Sequence, residues 1–242
     1  QPRDPSGGGG KPCEAPQSLG SPLVIDLDGD GVEVSQLLQH SVFFDIDGDG
    51  IRERTAWVSA DDGLLVLDRN GNGNIDDSSE LFGYGRTVSV TFGNTSDAHP
   101  ETGIDREWTS GFDQLAELDS NRDGLIDSSD SAFSALRIWR DLNQDGISTG
   151  DELFSLTDAG LKSLDLKSSS VLEHDGSNLT TERGAAHFVD GTTHNVDDVW
   201  FGFDQQSTQY DRPPVDAEAA QLPTLAGTGA LKDLRTASIE DP

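Results

Sequence analysis

The chain has 242 residues, and its 45 Asp and Glu against 16 Lys and Arg give a formal net charge of −29 at pH 7. This charge argues against nucleic acid or an anionic membrane as a partner, because their phosphates would repel it. Cys13 is the only cysteine, which excludes an internal disulfide, so we expect bound cations to stabilise the fold and relieve the repulsion between acids.

Composition divides the chain into three parts. Residues 1–20 are rich in Pro and Gly and predict a flexible linker, and residues 204–242 predict a polar linker followed by the start of another segment. Residues 21–203 are then the folded module. The chain has no Met, so we interpret it as a piece of a longer protein or a processed product. It shows no signal peptide and no apolar run of membrane-spanning length, and we expect no membrane insertion.

Short apolar runs lead directly into acidic loops. Leu23–Ile25 and Val42–Phe44 predict strands, and residues 55–58 and 64–67 predict a hairpin around a turn at 61–63.

The first two loops carry the first half of the EF-hand calcium pattern, with carboxylates at positions one, three and five and Gly at six. Their acids are Asp26, Asp28 and Asp30, then Asp45, Asp47 and Asp49. Leu37 and Ala56 stand at position twelve, so another acid must complete each site. The candidates are Glu33, Glu53, Asp61 and Asp62. A solvated turn is the alternative reading of both loops.

The third loop has the same design with more amides. Its candidate ligands are Asp68, Asn70, Asn72, Asn74, Asp76 and Glu80. Glu80 stands at position thirteen, one residue later than in the standard pattern, and a local bulge would let it reach the ion.

The fourth and fifth loops match the pattern best. The candidate ligands are Asp119, Asn121, Asp123, the Leu125 carbonyl and Asp130, then Asp141, Asn143, Asp145, the Ile147 carbonyl and Glu152. Paired Asp/Asn-Gly surface turns are the alternative, but turns do not need an acid at position twelve. One short apolar segment, residues 132–139, separates the loops and predicts a helix shared by both.

The remaining elements are short. Residues 84–110 read as a surface insertion and 111–118 as an amphipathic helix. A short helix after Leu153 should end at Gly160, residues 161–166 read as a strand, and residues 185–196 read as a hairpin with an Asp190-Gly191 turn. Together these features predict an α+β fold, with short strands and hairpins around EF-hand-like or dockerin-like helix–loop–helix sites for about four or five Ca²⁺ ions.

The order of these motifs resembles a known family. Over residues 21–203 the chain reads PLVIDLDGDGVE, FFDIDGDGIRERTAWVSADDGLLVLDRNGNGNIDDSSELFG, GFDQLAELDSNRDGLID, LRIWRDLNQDGIS and LKSLDL. This order is similar to the self-processing module, FrpC type, of RTX proteins secreted by Gram-negative bacteria. The resemblance implies type I secretion, folding in external calcium, and a place at the cell surface or outside it within an adhesin or toxin-like exoprotein. Its partners would be calcium ions and neighbouring segments of the parent chain.

The resemblance also implies an alternative function. In self-processing modules, calcium triggers cleavage of an Asp-Pro bond just before the module through a cyclic anhydride, which a lysine amine can capture as an isopeptide bond. Here the matching bond is Ser21-Pro22, and serine has no carboxylate to form the anhydride. Asp4-Pro5 and Asp241-Pro242 lie elsewhere, so we assign no catalytic residue. A calcium sensor is a third reading, but sensors use Met-rich grooves and this chain has no Met.

Overall fold

The computed structural model describes residues 21–37, 39, 41–83 and 110–209, and these residues form a fold that is almost entirely β. The strands are β1 Leu23–Ile25, β2 Val42–Phe44, β3 Arg52–Thr55, β4 Gly63–Val66, β5 Leu125–Asp127, β6 Arg137–Trp139, β7 Leu153–Ser155, β8 Leu161–Asp165, β9 Ser169–Asp175, β10 Asn178–Phe188, β11 Thr193–Trp200 and β12 Phe203–Gln209. Helical structure in these ranges is the six-residue α1, Gly111–Ala116, and a 3-10 turn at Ser78–Glu80. The predicted α+β class is therefore wrong.

The strands form two antiparallel sheets. The larger has the order β5-β8-β10-β11-β1-β4-β6-β7, with β9 also paired to β10. The smaller has the order β12-β3-β2. Neighbours in space are mostly distant in sequence, so the short strands depend on long-range pairing.

The helix–loop–helix prediction fails at the segment between the fourth and fifth loops. Residues 131–135 form turns, β6 follows, and Ile138 pairs opposite Phe154 of β7. The short helix predicted after Leu153 is also wrong, since this residue begins β7. Isolated helices of so few residues are unstable in water, whereas pairing in the sheet satisfies the same backbone groups and buries the same apolar side chains.

Other predictions about elements have mixed outcomes. The strands β1, β2 and β8, the helix α1 and the β10–β11 hairpin are confirmed. The hairpin at 55–67 is wrong, because β3 pairs with β2 and β12 whereas β4 pairs with β1 and β6. Strand β12 continues to Gln209, past the predicted start of the linker at 204.

Several predictions fall on residues outside the described ranges. They are the linker at 1–20, most of the insertion at 84–110, the segment 210–242, Cys13, and the bonds Asp4-Pro5 and Asp241-Pro242. Among the helices of the described ranges, none has the length and apolar character needed to cross a bilayer.

The larger sheet separates two hydrophobic cores. Along β1, Leu23 and Ile25 face one core and Val24 faces the other. The first core is closed by Phe112 and Leu115 of α1, and the second takes in Phe44 of the smaller sheet. Successive strand residues point to opposite faces, so β1 and the 64–66 part of β4 are apolar at every position.

An aromatic cluster at the second core connects the sheets to the fifth acidic loop. The ring centroid of Trp57 lies 5.2 Å from the ring centroid of Phe44, 5.3 Å from that of Trp139 and 6.0 Å from that of Phe201. Trp57 Nε1 donates a 2.8 Å hydrogen bond to Asp141 Oδ2. Trp139 Nε1 is also buried, but it has no hydrogen-bond partner among the described residues.

This asymmetry yields a matched pair of variants. Trp57→Phe and Trp139→Phe each trim a fully buried indole, but only Trp57→Phe removes a hydrogen bond to a buried carboxylate. We expect Trp57→Phe to lower the free energy of unfolding by about 1–3 kcal/mol more than Trp139→Phe does. Urea denaturation monitored by circular dichroism measures the difference, and equal losses would contradict the assigned hydrogen bond.

Candidate metal sites in five equivalent loops

Five acidic loops share one backbone geometry. They are loop 1 (26–31), loop 2 (45–50), loop 3 (68–73), loop 4 (119–124) and loop 5 (141–146). In each, the first-position Asp accepts the backbone N–H of the sixth-position Gly, at 3.2, 2.8, 2.9, 2.9 and 2.8 Å in chain order. In loops 1–4 it also accepts the fourth-position N–H, at 2.7, 2.7, 2.7 and 2.6 Å. The first carboxylate therefore organises each loop.

The backbone is left-handed at the fourth and sixth positions of every loop. The sixth position is always Gly, with φ between +71° and +113°. The fourth is Gly in loops 1–3, but Arg122 in loop 4 and Gln144 in loop 5 have φ of 61° and 56°. Glycine favours this conformation because it lacks Cβ, so the Gly spacing in the sequence anticipated the turn geometry.

Loop 1 gathers three carboxylates at the end of β1. Oxygens of Asp26, Asp28 and Asp30 all lie within 4.8 Å of one another. Asp26 is buried and the other two are exposed. A side-chain hydrogen bond with Asp28, together with the charges of neighbouring acids, raises the pKa of Asp30. Crowded carboxylates of this kind favour either a proton or a cation.

Asp62, a candidate ligand for loop 1, has a different role in the structure. Its Oδ1 accepts Leu27 N–H at 3.3 Å and its Oδ2 accepts Glu33 N–H at 2.8 Å. It is fully buried, and burial raises its pKa to about 7 despite these hydrogen bonds. Asp62 thus joins the start of loop 1 to the segment that follows it, while the side chains of Glu33 and Asp61 remain exposed.

Loop 2 contains the most enclosed carboxylate cluster. Oxygens of Asp45, Asp47 and Glu53 lie within 4.8 Å of one another. Glu53 is 2% exposed, and its Oε2 has no hydrogen-bond partner among the described residues. Burial, followed by the charges of Asp47, Asp49 and Asp45, raises the pKa of Glu53 to about 8, and burial raises that of Asp45 to about 6. Of the four acids considered for completing loops 1 and 2, Glu53 is the one this cluster contains.

In loops 3 and 4 the acids expected at the end of the calcium pattern bind backbone amides. The Glu80 carboxylate accepts Arg69 N–H at 3.1 Å and Asp76 N–H at 2.8 Å. The Asp130 carboxylate accepts Ser120 N–H at 2.8 Å and Asp127 N–H at 3.0 Å. Both acids are buried. They join the start of each loop to the segment that follows it, as Asp62 does at loop 1, and sequence spacing alone did not anticipate this role.

Loop 5 is anchored in the aromatic core. Asp141 is fully buried and accepts a hydrogen bond from Trp57 Nε1–H. Burial raises the pKa of Asp141. Glu152 Oε2 accepts the backbone N–H of Thr149 at 3.1 Å and its hydroxyl at 2.9 Å.

The other predicted ligands lie at the loop surfaces. The exposed ones are Asp49, Asn70, Asn72, Asn74, Asn121, Asp123, Asn143, Asp145 and Ile147, while Asp68, Asp76, Asp119 and Leu125 are half-buried. Their oxygens face solvent where an ion with several waters could be held. In the described ranges, loops 1 and 2 are the places where three carboxylates converge.

The residue just before Pro22 is built into the fold. Ser21 is fully buried, and its carbonyl oxygen packs so closely on Gly83 that a Cβ added there would clash with it. Asp198 lies beside Ser21 and accepts Gly111 N–H at 2.6 Å. Burial raises the pKa of Asp198 to about 7. The buried carboxyl group at this place therefore belongs to Asp198 and not to residue 21.

Comparisons with known proteins agree with this set of motifs. A family model described as SPM domain matches residues 23–202. The chain is also 43% identical over 226 residues to the iron-regulated protein FrpA of Neisseria meningitidis serogroup C. That match covers 90% of this chain but 18% of FrpA, so the chain spans less than a fifth of the relative's length.

The loop backbone predicts unequal effects of the same substitution. Gly146→Ala places Cβ 2.8 Å from Phe43 O and from Val42 Cγ1, whereas Gly124→Ala meets no heavy atom within 4 Å. Both pay the left-handed penalty of about 1–2 kcal/mol, and Gly146→Ala adds an overpacking cost of about 1–3 kcal/mol. Thermal denaturation should show the lower melting temperature for Gly146→Ala, and equal shifts would contradict the packing of loop 5 on β2.

The buried acids predict that stability without metal falls as pH rises. The folded-state pKa values of Asp45, Asp62, Asp198 and Glu53, about 6, 7, 7 and 8, exceed their ordinary values of 3.8 or 4.5. The folded state therefore holds more protons than the unfolded state, so these groups favour folding at acidic pH and lose that contribution as pH rises through this window.

Urea titrations in chelator at about pH 5 and about pH 8 measure this slope. We expect lower stability at the higher pH and a shallower slope for Glu53→Gln. A lower free energy of unfolding at the acidic pH than at the alkaline pH would contradict the raised pKa values assigned to these buried acids.

Proposed function

The chain belongs to the SPM domain family, and we propose that it is a calcium-binding module of a large secreted bacterial protein, folded and stabilised by extracellular Ca²⁺. The observation that carries the proposal is the loop 2 cluster of Asp45, Asp47 and Glu53, where the Glu53 carboxylate is buried and its Oε2 has no hydrogen-bond partner within the part of the chain that the structure describes. An isolated buried carboxylate is costly unless it is protonated or paired with a cation.

The ligand chemistry favours a hard divalent cation. Carboxylate, amide and carbonyl oxygens line the loops, and Ca²⁺ takes about six to eight oxygen ligands in flexible geometry. The two three-membered clusters found in the described ranges contain Asp and Glu with no His or Cys, which argues against zinc. Filling about four or five loops would neutralise part of the −29 charge.

Calcium would act as a folding switch. In calcium-poor cytosol, repulsion between the acids keeps the chain loose enough for type I export. Outside the cell, sites with dissociation constants of about 10⁻⁴ to 10⁻³ M fill, and metal binding drives folding. The module then lies outside the cell or on its surface, in contact with neighbouring segments of an adhesin or toxin-like parent.

Self-processing is not the function that we propose for this chain. The anhydride chemistry needs a carboxylate on the residue before Pro22, and that residue is Ser21. Asp198 is hydrogen-bonded to Ser21, but its carboxylate is not part of the residue whose peptide bond would break, so it cannot close the same cyclic anhydride.

Replacing Glu53 separates a metal ligand from a structural acid. Glu53→Gln removes a buried acid that can fold only by taking up a proton or by keeping an unpaired charge, so the calcium-free protein should be at least as stable as wild type at neutral pH. With calcium, the variant should bind one ion fewer or bind it about tenfold more weakly, because affinity follows the number of ligand charges. Native mass spectrometry counts the ions, and thermal denaturation with and without calcium gives the two stabilities.

Glu173→Gln is the matched control, since Glu173 is an exposed acid on β9 that pairs with Arg183 at the surface. Surface ion pairs contribute little, so this variant should keep the ion count. An unchanged ion count in Glu53→Gln would contradict the role of loop 2, and no bound calcium in wild type would overturn the proposed function.

A further inference from the structure

Loop 3 differs from loops 1 and 2 by two amides. All three loops have Gly at positions four and six. Loops 1 and 2 carry Asp at positions three and five, whereas loop 3 carries Asn70 and Asn72, each directly before a Gly. Converting these two amides to carboxylates would give loop 3 the same acidic pattern as its neighbours.

We infer that loop 3 is a deamidation site at Asn70 and Asn72. The backbone nitrogen of the following Gly loses its proton and attacks the side-chain carboxamide carbon. A new bond forms between the Gly nitrogen and this carbon, and the bond from the carbon to the side-chain nitrogen breaks. The side-chain nitrogen departs as ammonia, and the product is a five-membered succinimide ring. Water then opens either imide bond and gives aspartate or isoaspartate. Both Asn residues are exposed, and a Cβ built on Gly71 or Gly73 would meet no heavy atom within 4 Å, so water reaches the site.

The closed loop holds the attacking nitrogens away from this reaction. Gly71 N–H donates to Asp68 Oδ1 at 2.7 Å, and Gly73 N–H donates to Asp68 Oδ2 at 2.9 Å. An N–H bound to a carboxylate is harder to deprotonate, because the resulting anion would face a negative charge. The Asn70 side-chain oxygen accepts the N–H two residues later, at 2.9 Å. Deamidation therefore proceeds from the open loop and stops when Asp68 closes it.

The amides also close the loop in the absence of an ion. Asn70 Nδ2 and Asn72 Nδ2 lie 3.4 and 2.5 Å from Asp76 Oδ2. If these two amides become carboxylates, each repels the Asp76 carboxylate instead of donating a hydrogen bond to it. A cation bound between the carboxylates would offset this repulsion and close the loop again. The aspartate product therefore makes loop 3 dependent on a cation. This consequence rests on the proposed function, whereas the deamidation itself does not.

Two other loops supply internal controls. Asn121 and Asn143 occupy position three of loops 4 and 5 and are exposed like Asn70, but Arg122 and Gln144 follow them with the same left-handed backbone. Their side chains hinder the attack that Gly permits. For Asn70, loop position and exposure are thus matched, and the residue after Asn is what differs.

The full chain is incubated in mildly alkaline water enriched in heavy oxygen, in chelator and in millimolar calcium, and its peptides are analysed by mass spectrometry. We expect heavy oxygen at residues 70 and 72 in chelator, none at 121 and 143, and faster incorporation in Asp68→Ala. Incorporation at all four positions alike, or none at 70 and 72 even in denaturant, would overturn the inference. Equal rates in Asp68→Ala and wild type would overturn the protective role of Asp68.

The calcium arm separates this inference from the proposed function. Slower labelling of residues 70 and 72 in calcium supports both. Labelling at the same rate in both buffers, together with no bound calcium in the native mass spectrum, would overturn the proposed function while the deamidation site stands. Asn70→Asp/Asn72→Asp should bind calcium more tightly at loop 3 than wild type, as reported by the Gly73 amide resonance, and unchanged affinity would overturn the cation dependence.

Discussion

Burial of carboxylates is the constraint on which this structure depends. Asp45, Glu53, Asp62 and Asp198 are buried, and their raised pKa values express the cost of removing negative charge from water. Backbone amides offset part of the cost where the acid closes a loop, as at Asp62. Glu53 lacks such a partner at Oε2 among the described residues, which is why the proposed function rests on loop 2.

The same carboxylates connect loop geometry to the packing of the sheets. The first-position acid of each loop fixes a turn with two left-handed residues. The short apolar runs beside the turns pair as strands, and the larger sheet has one hydrophobic core on each face. Loop 5 shows the connection most directly, because Asp141 binds the Trp57 indole in the second core and Gly146 packs on the backbone of β2. An ion that tightens such a loop would therefore stabilise strands distant in sequence.

The failed predictions have one physical cause. The apolar spacing in 132–139 permits a helix, and EF-hand loops usually join helices, so the pattern favoured helix–loop–helix. In the structure Ile138 pairs opposite Leu65 on one side and Phe154 on the other. The hairpin predicted at 55–67 failed similarly, because β3 and β4 find other partners. Local periodicity does not contain the choice of strand partner, which long-range contacts decide.

By itself, the sequence determined the five loops, their left-handed glycines, the strands entering loops 1 and 2 and the absence of a carboxylate at residue 21, since these depend on local spacing and residue chemistry. Tertiary structure decided the all-β class and the roles of acids outside the loops. Glu53 joins the Asp45 cluster because β3 places it there. Asp62 holds loop 1 closed because its two oxygens accept hydrogen bonds from the N–H groups of Leu27 and Glu33, which lie 35 and 29 residues away in sequence. Burial and long-range contact set those roles, and neither is a property of the motif alone.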